Sequence, residues 1–150
     1  MQALAASGAG FLLAVLWFDL MFDVQVLRQR ETEIPEPVLA SISAYYKRVT
    51  TNARPMNRLV AAVMVATIAF IVTEIVGNRG PRWAAWVSFA LVISAVSLAG
   101  GRTVPRAVRL GTRRDPLLVQ SGLARSICRD HLACLAAITA LLVVQLAWAK

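Results

Sequence analysis

The chain has 150 residues, of which 58% are hydrophobic and 16% charged, with a formal net charge of +8 and a pI near 11.0. Soluble domains run at about 45–50% apolar and about 25% charged, so this balance excludes an ordinary soluble domain. The basic residues lie in connections between apolar segments, which argues against nucleic-acid binding and for a membrane surface.

Four stretches are apolar over about the 20 residues that a bilayer crossing needs. They run from Ala3 to Leu27, Leu59 to Val76, Trp83 to Ala99 and Leu132 to Ala149; with flanks, the spans are expected at 3–27, 57–77, 82–100 and 131–149. The expected fold is an all-α, polytopic four-transmembrane-helix bundle forming one integral membrane domain. The first span lacks Lys and Arg before Phe18 and ends in Trp17, Phe18, Asp19 and Asp23, so it reads as a retained helix rather than a cleaved signal.

Loop 28–56 carries Arg28, Arg30, Lys47, Arg48 and Arg54, and loop 101–130 carries Arg102, Arg106, Arg109, Arg113, Arg114, Arg125 and Arg129. The short second connection has only Arg79 and Arg82, and the C-terminus Lys150. Positive residues mark the cytoplasmic side, so both long loops are expected inside and both termini outside, in a bacterial inner membrane. Trp83, Trp86 and Trp148 then form an outer aromatic belt.

Each long loop is expected to contain an amphipathic helix at the interface or against the bundle. In the first, Val38, Ile42, Tyr45, Tyr46 and Val49 share one side after Pro35-Glu36-Pro37. In the second, Asp115-Pro116 starts a helix that runs into the fourth span. Small residues four apart predict packing seams at Ala6, Gly10 and Ala14, at Ala62 and Ala66, at Ala133 and Ala137, and at Ala136 and Ala140. Cys128 and Cys134 are too far apart along one helix to form a disulfide.

Intramembrane acids are costly and face protein or water. Asp19 and Asp23, one helical turn apart, share a face at the cytoplasmic end of the first span. Arg54, Asn57 and Arg58 from the second span, Asp130 and His131 from the fourth, and Tyr45 and Tyr46 from the loop helix are candidates for the same depth. Three readings stay open: an ion-pair network with Arg54, Arg58 or Arg129; a ligand or proton site in a cytoplasm-facing polar cavity; and a weak metal set of Asp19, Asp23 and His131. Glu74, at the other end, is expected to pair with Arg79 or Arg82, or to act as an outer polar gate. Nucleotide, haem and hydrolase motifs are missing, and no cofactor is expected.

Leu16-Trp17-Phe18-Asp19, Tyr45-Tyr46-Lys47-Arg48-Val49-Thr50 and Ala53-Arg54-Pro55-Met56 resemble the small four-helix membrane proteins grouped with anthrone oxygenase. The resemblance implies a four-helix bundle, with cofactor-independent oxygenase chemistry in some members, and assigns no residue roles here. The expected function is binding of a small or lipid-like ligand. The alternatives are an oxygenase-like enzyme on an apolar aromatic or quinone-like substrate, or an accessory subunit of a membrane complex. Anionic lipid headgroups are the expected partners, with a homo-oligomer or a membrane partner protein compatible with the small-residue seams.

Overall fold

The computed structural model describes residues 1–78 and 80–147, apart from the side chain of Arg54. Arg79, Trp148 and Lys150, which the sequence reading used for charge and belt, lie outside the described residues. The chain is 88% helical, with no strand among the described residues, and has four helices long and apolar enough to cross a membrane.

The elements are α1 (Gln2–Asp23), α2 (Glu36–Lys47), α3 (Arg54–Val76), α4 (Arg82–Leu98), α5 (Val104–Thr112) and α6 (Leu117–Ala147). A 3₁₀ turn, Val24–Arg28, closes α1. Two π-helical turns, Arg48–Asn52 and Ala99–Thr103, lead into α3 and α5. Each stands just ahead of a proline, Pro55 or Pro105. A proline ring clashes with the carbonyl four residues back; at Pro105 a widened turn relieves that clash without ending the helix, whereas ahead of Pro55 the chain leaves helical geometry at Ala53 (φ −88°, ψ 53°) before α3 starts.

In segment 101–130 the helix expected after Asp115-Pro116 is present as the start of α6, and the part before it, expected as a loop, is also nearly all helix. The α4 helix continues through its π-turn into α5, and the reversal to α6 takes only residues 113–116. Arg113 supplies the left-handed residue at φ 55°. Asp115 does not serve as a helix cap; its carboxylate takes a two-pronged bond from Arg109, 2.8 Å at each prong, which holds it below the usual carboxylate range.

The four long helices close a ring in which α1 and α4 each pack against α3 and α6. Ala5, Ala9, Leu12, Ile71, Val92, Ala95, Ile138 and Leu141 fill its centre. A second core of Ile34, Leu39, Ile42, Tyr46, Leu110 and Ile127 lies at one end, where α2 packs on α5 and the first half of α6. The apolar side of α2 is thus covered by protein. Segment 29–35 is strapped to α6: Ser121 accepts the Ile34 N–H at 2.9 Å, and Arg125 donates to the carbonyls of Glu31 and Thr32.

One helix runs through both cores. The 31 residues of α6 span about 46 Å, more than the hydrocarbon thickness of about 30 Å. Its buried residues Ile127, His131, Cys134, Ile138, Leu141 and Gln145 alternate steps of four and three, a seam of the coiled-coil kind. Ala133 and Ala136 instead face outward, as do Ala14 and Ala62. The close approach of α1 to α3 uses Ala5, Gly8 and Ala9, one face round from the expected Ala6, Gly10 and Ala14. Trp17, Phe18, Met21, Val65 and Val143 are left exposed around the bundle, which suits lipid contact.

A Cβ at Gly8 would stand 2.1 Å from Thr67 Oγ1, which itself donates to the Val63 carbonyl. We expect Gly8→Ala to cost about 1–3 kcal/mol of stability in detergent unfolding, and the double variant with Thr67→Ala to recover most of it.

Candidate functional site

The two cores meet at a polar layer. Asp19 and Asp23 leave α1 one turn apart and face α2 and α6. Asp23 has no exposed surface. Its Oδ1 accepts the Tyr46 hydroxyl at 2.5 Å, and its Oδ2 lies 2.6 Å from His131 Nδ1. A carboxylate only accepts, so Nδ1 carries the proton in this pair. Tyr46 Oη also lies 3.4 Å from Nδ1, which closes a triangle of three buried groups. Asp19 Oδ1 accepts the Tyr45 hydroxyl at 2.7 Å, and Oδ2 stands 3.9 Å from His131 Nε2. Phe22 stacks on Tyr45, with ring centroids 4.1 Å apart, and Tyr45 meets Tyr46 edge-on at 5.4 Å.

Adjacency on a helix is what lets Tyr45 and Tyr46 serve different acids, since neighbours point about 100° apart. Burial raises both phenols above the ordinary tyrosine range, and the facing carboxylates add to it: Asp19 for Tyr45 and Asp23 for Tyr46. Both therefore stay protonated donors at neutral pH.

Of the other candidates, Asp130 is turned away from this layer. It takes Arg106 at 3.1 Å and Arg102 at 3.4 Å, and Arg106 also donates to Ser126 at 2.5 Å. The rotation between neighbours on α6 sends His131 towards α1 and Asp130 towards α5. Asn57 donates to the Thr50 carbonyl at 3.2 Å on an exposed surface, and Arg58 is exposed on the outer side of α3. The side chain of Arg54 lies outside the described residues, and Arg129 is exposed. Among the described residues neither Asp19 nor Asp23 pairs with arginine. The expected pairs with Arg58 and Arg129 do not form, and the described donors to the two acids are hydroxyls and the imidazole.

The weak metal set is not formed either. Asp23 and Asp19 approach opposite nitrogens of the His131 ring, and one ion cannot sit on both sides of it. No group of three metal-ligating side chains occurs among the described residues. Cys128 and Cys134 are both free and buried, one in each core.

Glu74 lies at the other end of the bundle and is buried. The Gln145 side-chain amide donates to Glu74 Oε2 and to Ser88 Oγ, 3.1 Å each. The described partner is thus an amide on α6; no ion pair to Arg82 forms, and Arg79, the other expected partner, lies outside the described residues. Gln145 was not singled out in the sequence, although it occupies the same seam as His131.

Between α1, α3, α4 and α6 is a cavity of about 140 Å³. Leu12, Leu16, Val60, Met64, Val96, Cys134 and Ile138 make most of its wall, with Asp19, His131 and Thr103 its polar members. The expected polar cavity is thus an apolar one with a polar end. The π-turn Ala99–Thr103 forms part of its rim, a placement often seen for such turns near functional sites. Compared with known proteins, the chain matches no family model, no curated protein and no solved structure.

Removing the Tyr46 hydroxyl leaves buried Asp23 short of a donor. Tyr46→Phe is expected to cost about 1–3 kcal/mol in detergent unfolding. The raised phenol contributes stability that is complete below its ordinary value of 10.0 and lost as pH rises above it. An unfolding series from pH 7 to 11 should show that alkaline loss in the wild type and a smaller one in Tyr46→Phe.

Proposed function

We propose that this chain is a multi-pass membrane protein of the bacterial inner membrane that binds a small, apolar or lipid-like ligand in the cavity between its helices. Both termini would lie outside, and α2, α5 and the arginine-rich end in the cytoplasm, by the positive-inside rule. That basic end would rest against anionic headgroups. The observation that carries the reading is the cavity of about 140 Å³, apolar along its walls and closed at one end by Asp19 and His131. A pocket with mostly apolar lining and few convergent polar groups is the usual form of a small-molecule site.

A second reading is an enzyme acting on an apolar aromatic or quinone-like substrate, in keeping with the resemblance to anthrone-oxygenase-like proteins. What favours it is the arrangement of His131. Asp23 holds Nδ1–H and leaves Nε2 as the ring nitrogen free to meet a ligand, the arrangement by which a carboxylate orients a general base.

Native mass spectrometry of the protein released from mild detergent tests the leading reading. Wild type should carry an adduct of small-molecule or lipid mass. Val60→Phe, which fills the cavity wall, should fold and lose it. An identical adduct pattern in both proteins would contradict the assignment to this cavity.

A further inference from the structure

The polar end of the cavity has a definite hydrogen-bonding sense. Nδ1 of His131 donates to Asp23, which leaves Nε2 as the ring nitrogen on the cavity side. Asp19 Oδ1 is taken by Tyr45, and Oδ2 stands 3.9 Å from Nε2. That gap is too long for a direct hydrogen bond. One oxygen atom placed between the two would be within reach of both. Thr103, the other polar lining residue, spends its hydroxyl on the Leu98 carbonyl at 3.3 Å. The cavity therefore offers one carboxylate oxygen and one ring nitrogen to a single polar atom, and a hydroxyl, which both donates and accepts, can serve the two together.

Charge narrows the ligand further. A carboxylate or phosphate would meet Asp19 with Asp23 behind it. Arg102 and Arg106, which flank the lining residue Thr103 in sequence, are held by Asp130 on the α5 side of α6. Size narrows it again. An apolar protein cavity of about 150 Å³ takes one benzene ring, and this one measures about 140 Å³.

Resting on the reading of the cavity as a ligand site, we propose that its ligand class is an uncharged, single-ring compound bearing a phenol-type hydroxyl. The ring lies among Leu16, Met64, Val96 and Ile138, and the hydroxyl sits between Asp19 Oδ2 and His131 Nε2. Asp23 and Tyr46 act as positioning residues: they fix the ring and tautomer of His131 without touching the ligand. Phenol ranks above carboxylate because Asp19 repels an anion, and above plain hydrocarbon because its hydroxyl gives Asp19 Oδ2 a donor.

Fluorine NMR of the detergent-solubilised protein with 4-fluorophenol, 4-fluoroanisole and 4-fluorobenzoate separates bound probe from probe dissolved in the micelle. The phenol should give a bound resonance and bind about tenfold more tightly than the ether, whose oxygen cannot donate. The benzoate should give none. Val60→Phe should abolish the bound signal, and Asp19→Asn should shrink the preference for phenol over ether. Ether and phenol binding equally in the wild type would overturn the ligand class and leave the cavity reading standing. Tighter binding of the benzoate would overturn the class as well. No bound resonance for any probe would overturn both.

Discussion

Asp23 is a carboxylate with no exposed surface at the end of an apolar helix, and the rest of the molecule is arranged around keeping it hydrogen-bonded. A buried charge left unpaired costs several kcal/mol, and a buried hydrogen-bonded one is tolerated. Its two oxygens are met by the Tyr46 hydroxyl and the His131 Nδ1–H, from α2 and α6. Three elements far apart in sequence are thereby fixed at one depth. The helix α2 could slide or lift off the bundle only by leaving Asp23 without its donor. The two hydrophobic cores, one among the long helices and one under α2 and α5, are registered to each other through this contact.

The same contact gives the cavity its chemistry. Imidazole has two nitrogens, and what one of them does decides what the other can do. Because Asp23 takes Nδ1–H, Nε2 is the nitrogen left beside Asp19. Tyr45 does for Asp19 what Tyr46 does for Asp23, occupying one oxygen and leaving the other towards Nε2. The phenols are held in their protonated forms by burial and by the acids they serve, so the layer keeps its donor pattern over the neutral range. Stability and recognition are in this sense the same set of bonds seen from two sides.

Much of this was legible in the sequence, and the misses have physical causes. Hydropathy marked four spans because lipid tolerates little else at that length. The one-turn spacing of Asp19 and Asp23 placed them on one face, and Tyr45, Tyr46 and His131 were named for the same depth. Arginine was the expected partner because opposite charge is the simplest way to satisfy an acid, but spacing cannot say that Arg58 points outward while a tyrosine points in. The small-residue seams failed for a related reason. Alanine four apart recurs on every face of these helices, and only packing picks out Ala5 and Ala9 from Ala6 and Ala14. The helix running from Asp115-Pro116 into the fourth span was legible; the continuation of α4 into α5 was not, because Gly100 and Gly101 give no sign of the π-turn that carries the helix through them. Gln145 escaped notice because one amide in an apolar run gives no signal until Glu74 is seen opposite it.

His131 is the chain's one histidine, so labelling with ¹⁵N-histidine puts a single imidazole into the spectrum. The ¹⁵N shifts of that ring, recorded in detergent or bilayer at neutral pH, report directly which nitrogen is protonated. The account predicts a proton on Nδ1, slow to exchange with water, with that pattern disturbed in Asp23→Asn. A ring protonated on Nε2 alone, exchanging freely with solvent, would contradict the bond on which both the fold and the site depend.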